Sequence, residues 1–211
     1  FIYSTASILN EKPQVADFIN FYLTYVNEEI TDVGYFPASP DALNAAKQDW
    51  MDAMGVAAPV PAEEPAAAEG TMLPEVNPLE VSGDIVTAGS STVFPLAERM
   101  ADRFESEGYA GTITIDSIGS GAGFERFCVA GETDISNASR PIKDSEVESC
   151  QAIDRDPIEF RVGTDALAVV VSQDNDFIEG ATFEELALIF STAENWSDVN
   201  PEWPDEAIQR F

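Results

Sequence analysis

Three stretches of this chain place small hydroxyl residues just ahead of helix-forming sequence: Ser90-Ser91-Thr92, Ser120 within Ser-Gly-Ala-Gly, and Ser139-Arg140. Each follows a run of strand type. Where a strand turns into a helix, the first helical amides lack an intrahelical partner and the helix dipole is positive. A hydroxyl there adds a further donor, and a glycine such as Gly121 lets backbone approach a ligand closely. Several such turns can hold a tetrahedral oxyanion with little formal charge. Any one of them alone is an ordinary N-cap. Gly119, Gly121 and Gly123 resemble a nucleotide loop, but no lysine follows for phosphate-loop chemistry. Arg140 alone would be a surface ion-pair residue, and Asp134 a structural cap or pairing residue. The signal lies in three turns occurring together and in order.

Catalysis is not expected. The chain has no histidine, which removes the commonest general base, the Ser-His nucleophile and the commonest metal ligand. Cys128 and Cys150 are its two cysteines, so no clustered thiolate ligands occur either. Neither metal nor cofactor is expected. The formal net charge is -29, from 39 acidic and 10 basic residues. That field repels nucleic-acid phosphates and anionic lipid, so no nucleic-acid partner is expected. It opposes a small anion too, but it is screened beyond about 8 Å at physiological ionic strength. Loop donors act at contact distance in a drier setting, where each bond is stronger. The expectation is slow anion capture with affinity retained.

The elements that must position these turns fall into three textures. Residues 1–55 are helix-rich, and Phe1 reads as lying within a folded domain, with no signal peptide in view. Asn10 is the expected N-cap of a helix opening near Pro13. Val15, Phe18, Ile19, Tyr22, Leu23 and Val26 form its apolar face. Gly34 ends it, Tyr35 to Ala38 is extended, and Ser39-Pro40-Asp41 starts a second helix with Leu43, Ala46, Trp50 and Met51 buried. Residues 56–83 are rich in Ala, Pro and Glu without period and read as an extended acidic linker. Residues 84–211 alternate α and β. Strands are expected at Ile85–Thr87, Thr112–Asp116, Asp134–Ala138, Ile158–Val162 and Leu167–Val171, the last as a buried strand because its apolar run is continuous. Helices are expected over Leu96–Phe104, Phe124–Val129, Lys143–Cys150 and Phe183–Phe190, with Thr182 as the last one's N-cap. Hydrophobic residues make up 45%, enough for a core.

The stretches AGSSTVFPLAERMADRF, DSIGSGAGFERF and GETDISNASRPIKDSE make residues 84–211 resemble the amino-terminal part of the phosphate-binding proteins of ABC importers. EKPQVADFINFYLTYVNEEITDVGYFPAS makes residues 1–55 resemble that family's carboxyl end, so the family order is reversed. The resemblance implies an α/β type II periplasmic-binding-protein lobe, with mixed sheet and flanking helices and an incomplete second lobe. The family's Ser-Gly-Thr anion loop has no counterpart here. The resemblance also implies phosphate ligands among Ser90, Ser91, Thr92, Ser120, Gly121 and Ser139, with Arg140 a neighbour. Other members carry, at the position of Ser139, an aspartate that accepts a proton from bound phosphate, so discrimination against sulfate is not implied.

The function so implied is extracytoplasmic capture of inorganic phosphate or a similar tetrahedral oxyanion, at the periplasm or cell surface of a prokaryote. The implied partners are the membrane subunits of an ABC importer. Either the chain spans two tandem copies, or residues 1–55 dock on 84–211, within one chain or as a swap that would self-associate. A surface-assembly protein built from solute-binding lobes is the alternative reading. Cys128 and Cys150 are either two buried thiols or a disulfide closing a loop of about 20 residues, contributing on the order of 3 kcal/mol; an extracytoplasmic setting favours the disulfide.

Overall fold

The computed structural model describes residues 1–56 and 70–210, so nearly all of the first half of the expected linker, 57–69, lies outside the described residues. Ile2–Thr5 forms strand β1, buried along its whole length. Four residues are too few to show a period, which is why the sequence reading assigns no strand here. An additional helix, α1 (Ala6–Glu11), is opened by Thr5, whose hydroxyl accepts from the Ile8 amide at 3.2 Å, and the N-cap of the helix at Pro13 is Lys12, not Asn10. Asn10 lies inside α1, where its side chain donates to the Ala6 and Ala53 carbonyls at 2.7 and 3.0 Å. Helix α2 (Pro13–Glu29) then begins at Pro13, whose fixed φ suits the first helical position. Its expected apolar face is buried, together with Ala16, Asn20 and Phe21.

A two-residue strand, β2 (Phe36–Pro37), precedes α3 (Pro40–Met54), which Ser39 caps by accepting from the Ala42 amide at 3.3 Å. Leu43, Ala46, Trp50 and Met51 are buried, as their spacing predicts. The Trp50 indole donates to the Ala16 carbonyl at 3.0 Å, tying α3 to α2. Residues 70–83 are largely without regular structure but lie against these helices. Asn44 accepts from the Thr71 amide at 3.0 Å, and Asn20 donates to the Pro74 carbonyl at 3.0 Å.

The remaining strands complete one five-stranded mixed sheet. Strand β3 (Asp84–Gly89) lies parallel to both β4 (Thr112–Ser117) and β5 (Ile135–Asn137). Parallel neighbours need crossovers. These are α4 (Phe94–Ser106) and then α5 (Ser120–Phe124), which runs into one π-helical turn, Glu125–Val129. Helix α6 (Asp144–Gln151) leads to β6 (Pro157–Phe160), and β1 inserts antiparallel between β5 and β6. The strand order is β4-β3-β5-β1-β6. A short β7 (Gly163–Thr164) pairs with β2. The start of the chain therefore supplies an inner strand to a sheet whose other members come after residue 83.

The helices of the first segment also pack on the later part of the chain. Phe104 of α4 meets Phe18 and Phe21 of α2, with ring centroids 5.4 and 4.9 Å apart. At the edge of this contact Glu29 accepts from Arg99 at 2.6 Å and from Arg103 at 2.8 Å. Asp134 is structural, as expected: its carboxylate pairs with Lys12 at 2.6 Å and accepts from the Val86 amide at 3.0 Å. Cys128 and Cys150 form a disulfide that joins the π-helical turn to α6.

The chain divides into two compact units, Phe1–Ala166 and Leu167–Phe211. The second contains α7 (Phe183–Ile189), which Thr182 caps through a reciprocal pair with Glu185. It also contains α8 (Trp196–Val199) and an aromatic cluster of Phe177, Trp196 and Trp203. The buried strand expected at Leu167–Val171 is not formed. Leu167 is 98% and Val170 82% exposed, and no described strand pairs with this run. Apolar, β-branched sequence favours a strand only where a neighbouring strand takes up its amides and carbonyls.

Candidate functional site

Strands β4, β3 and β5 are adjacent and parallel, so the turns that follow them gather at one edge of the sheet. Backbone bonds stitch these turns together. The Ile118 and Gly119 amides both donate to the Gly89 carbonyl, at 2.9 and 2.7 Å, and the Ser90 amide donates to the Asn137 carbonyl at 2.9 Å. Two glycines make this approach sterically feasible. A Cβ on Gly89, which has φ +144°, would collide with the Asn137 carbonyl, and one on Gly123 would collide with Gly89 itself.

This assembly brings Ser120 and Ser139 into contact. Their hydroxyl oxygens are 3.2 Å apart, and the Ser139 amide donates to the Ser120 hydroxyl at 3.1 Å. The Ser120 oxygen thus already accepts one bond, and its own proton remains available to Ser139 or to a ligand. Ser120 is half-buried, Ser139 and Gly121 are exposed, and all three border solvent. The first turn divides its labour. Ser90 is buried, and its hydroxyl accepts from the Thr92 and Val93 amides at 3.2 and 3.4 Å, closing the turn that leads into α4. Ser91 is exposed and Thr92 half-buried. Thr92 and Ser139 line one depression of about 430 Å³.

Arg140 stands beside this group but is committed elsewhere. Two of its nitrogens donate to the two carboxylate oxygens of Glu146, at 2.8 and 2.7 Å, and its guanidinium lies 5.5 Å from the centre of the Phe124 ring. The pairing moves both groups away from their ordinary values. Glu146 is held below the usual carboxylate range, chiefly by the Arg140 bond, and Arg140 is raised, chiefly by Glu146. Glu146 also accepts from the Lys143 amide at 2.9 Å, so Arg140 anchors its turn to the start of α6.

Sequence reasoning missed the residues that close the other side of the depression: Tyr35, Arg161, Thr164 and Asp165. The Tyr35 hydroxyl donates to the Thr92 carbonyl at 2.6 Å, and its pKa is raised first by burial and then by Asp165. Pairing of β2 with β7 brings these residues together, Phe36 opposite Thr164. Strands of two residues leave no periodic signal, and the sequence marks this region only by the extended piece Tyr35 to Ala38.

Comparison with known proteins follows the same outline. The family model of a PBP superfamily domain matches residues 59–211. Over 133 residues the chain is 40% identical to the phosphate-binding protein PstS of Staphylococcus haemolyticus, covering 63% of this chain and 42% of that protein. The PstS of Staphylococcus saprophyticus is 41% identical over the same length, covering 63% of this chain and 40% of that one. The crystal structure of a possible phosphate binding protein from Planctomyces limnophilus matches with a TM-score of 0.54 at 41% identity, over 60% of this chain and 45% of that chain. This chain therefore spans only about two fifths of the length of the curated relatives it matches.

Proposed function

We propose that this chain, which belongs to the PBP superfamily and has the mixed α/β sheet of a type II periplasmic-binding-protein lobe, captures inorganic phosphate with the turns after β3, β4 and β5. The observation that carries the reading is the Ser120–Ser139 pair, brought to 3.2 Å by two strands of one sheet at the edge where α/β folds bind ligands. The choice of phosphate is supported by the relatives, which are named phosphate-binding proteins.

In this reading Ser91, Thr92, Ser120 and Ser139 offer hydroxyls to the anion and Gly121 its amide, while Ser90 shapes the first turn. Arg140 acts through Glu146, holding the third turn in place. Residues 1–55 serve as the carboxyl-terminal segment of a family domain that completes the lobe formed by 84–166, with 56–83 connecting the two. The function is binding without chemical conversion. The protein works outside the cytoplasm, where its disulfide is stable, and delivers phosphate to the membrane subunits of an ABC importer.

Isothermal titration of the protein with phosphate tests this. Ser139→Ala and Ser120→Ala should each weaken binding about tenfold, the cost of about one hydrogen bond to a charged ligand. Their melting temperatures should change little, because both hydroxyls border solvent. Absence of any phosphate binding by the unmodified protein would end the proposal.

A further inference from the structure

The proposed anion site offers hydroxyls and amides, and the arginine within its turns, Arg140, is neutralised by Glu146. We infer that Arg161, which no sequence motif singles out, supplies that charge by contacting the bound oxyanion. The inference rests on the proposed phosphate reading. Its basis is the pairing of the arginines. Arg99, Arg103 and Arg126 face carboxylates. Arg155 donates to the carbonyls of Phe127, Thr133 and Gly131 at 2.8 to 2.9 Å, and Arg210 to those of Ile189 and Ala193.

Arg161 differs from all of them. Its one hydrogen bond among the described residues is a long one, 3.4 Å to the Thr164 hydroxyl, and no described carboxylate lies within ion-pair distance. Its guanidinium sits 5.7 Å from the Phe1 ring centre, a contact that leaves its N–H edges available. It lines the same depression as Thr92 and Ser139. In a chain of net charge -29, a guanidinium with no acidic partner is conspicuous, since acidic side chains outnumber basic ones almost fourfold, 39 to 10. Asp165 borders the same depression, yet it too stays beyond ion-pair distance of Arg161. An arginine fork matches two oxygens of a tetrahedral anion and forms the stronger, charge-assisted class of hydrogen bond.

The test is titration calorimetry with inorganic phosphate on the unmodified protein, Arg161→Gln, Arg161→Lys and Arg126→Gln, each at two salt concentrations. The expected result is at least tenfold weaker binding for Arg161→Gln, partial recovery for Arg161→Lys, and unchanged binding for Arg126→Gln. Arg161→Gln should also flatten the dependence of affinity on salt while leaving the melting temperature unchanged, which loss of a merely structural residue would not do. Wild-type affinity in Arg161→Gln, with phosphate still binding to the unmodified protein, overturns this inference and leaves the phosphate reading standing. No binding by the unmodified protein overturns both.

Discussion

Glu146 shows how a single side chain joins stability to the site. Its carboxylate receives two bonds from Arg140 and one from the Lys143 amide, and its pKa is lowered below the ordinary 4.5. A carboxylate whose folded pKa is depressed stabilises the fold above its unfolded pKa, and that contribution is lost as pH falls through the folded value. Glu146→Gln should therefore melt a few degrees lower than the unmodified protein at pH 7, for a loss of about 1–2 kcal/mol at about 2–4 °C per kcal/mol. The gap should close as pH drops below about 4.5. Thermal melts across pH 2–7 measure this directly, and a gap that persists at the acid end would show that the pair is not the source. The hydroxyl residues of the three turns were legible from the sequence because Ser and Thr ahead of a helix have a local meaning. Whether a given hydroxyl closes its own turn, as Ser90 does, or borders solvent, as Ser139 does, depends on packing that no local rule contains.

At the scale of elements, the disulfide is the clearest handle. It ties the turn that follows α5, the helix opened by Ser120, to α6, the helix that holds Glu146. Closing a loop with a sequence separation of 22 is worth about 3 kcal/mol in the unfolded chain. The double variant Cys128→Ser/Cys150→Ser should melt about 6–12 °C lower. Addition of reductant under denaturing conditions, followed by refolding and calorimetric melting, should reproduce that drop in the unmodified protein. An unchanged melting temperature in the variant would mean that the bridge contributes nothing to the fold. Helices α2 and α3 were readable because their apolar positions repeat over several turns. Strands β1 and β7 were not, since two to four residues carry no period, and β2 was legible only within the extended piece Tyr35 to Ala38. The converse holds at 167–171, where a continuous apolar run predicts burial but stays exposed, because strand pairing is a tertiary condition.

Over the whole molecule, two features compete. A net charge of -29 repels phosphate at long range, whereas the proposed site would act through donors at contact. Screening should therefore speed association. Between about 20 and 500 mM sodium chloride, the stopped-flow association rate for phosphate should rise, because the Debye length shrinks from roughly 20 Å to a few ångströms. A rate that falls with salt would mean that local positive charge, not the global field, governs approach. The first segment packs against later parts of the chain through β1, through the Phe104 contact and through Tyr35, the same contacts that an exchange between chains would use.

Taken by itself, the sequence determined the α/β class, the long helices, the three hydroxyl turns and the absence of histidine chemistry, because each depends on residue type or short-range period. Only the tertiary structure decided that Ile2–Thr5 enters the sheet between β5 and β6, that Ser120 meets Ser139, that Arg140 is spent on Glu146, and that Arg161 lines the depression with Thr92 and has no carboxylate partner among the described residues. These are contacts between residues remote along the chain. They are chosen by which hydrogen-bonding edges and charges remain unsatisfied once the core has formed, and local sequence does not encode that remainder.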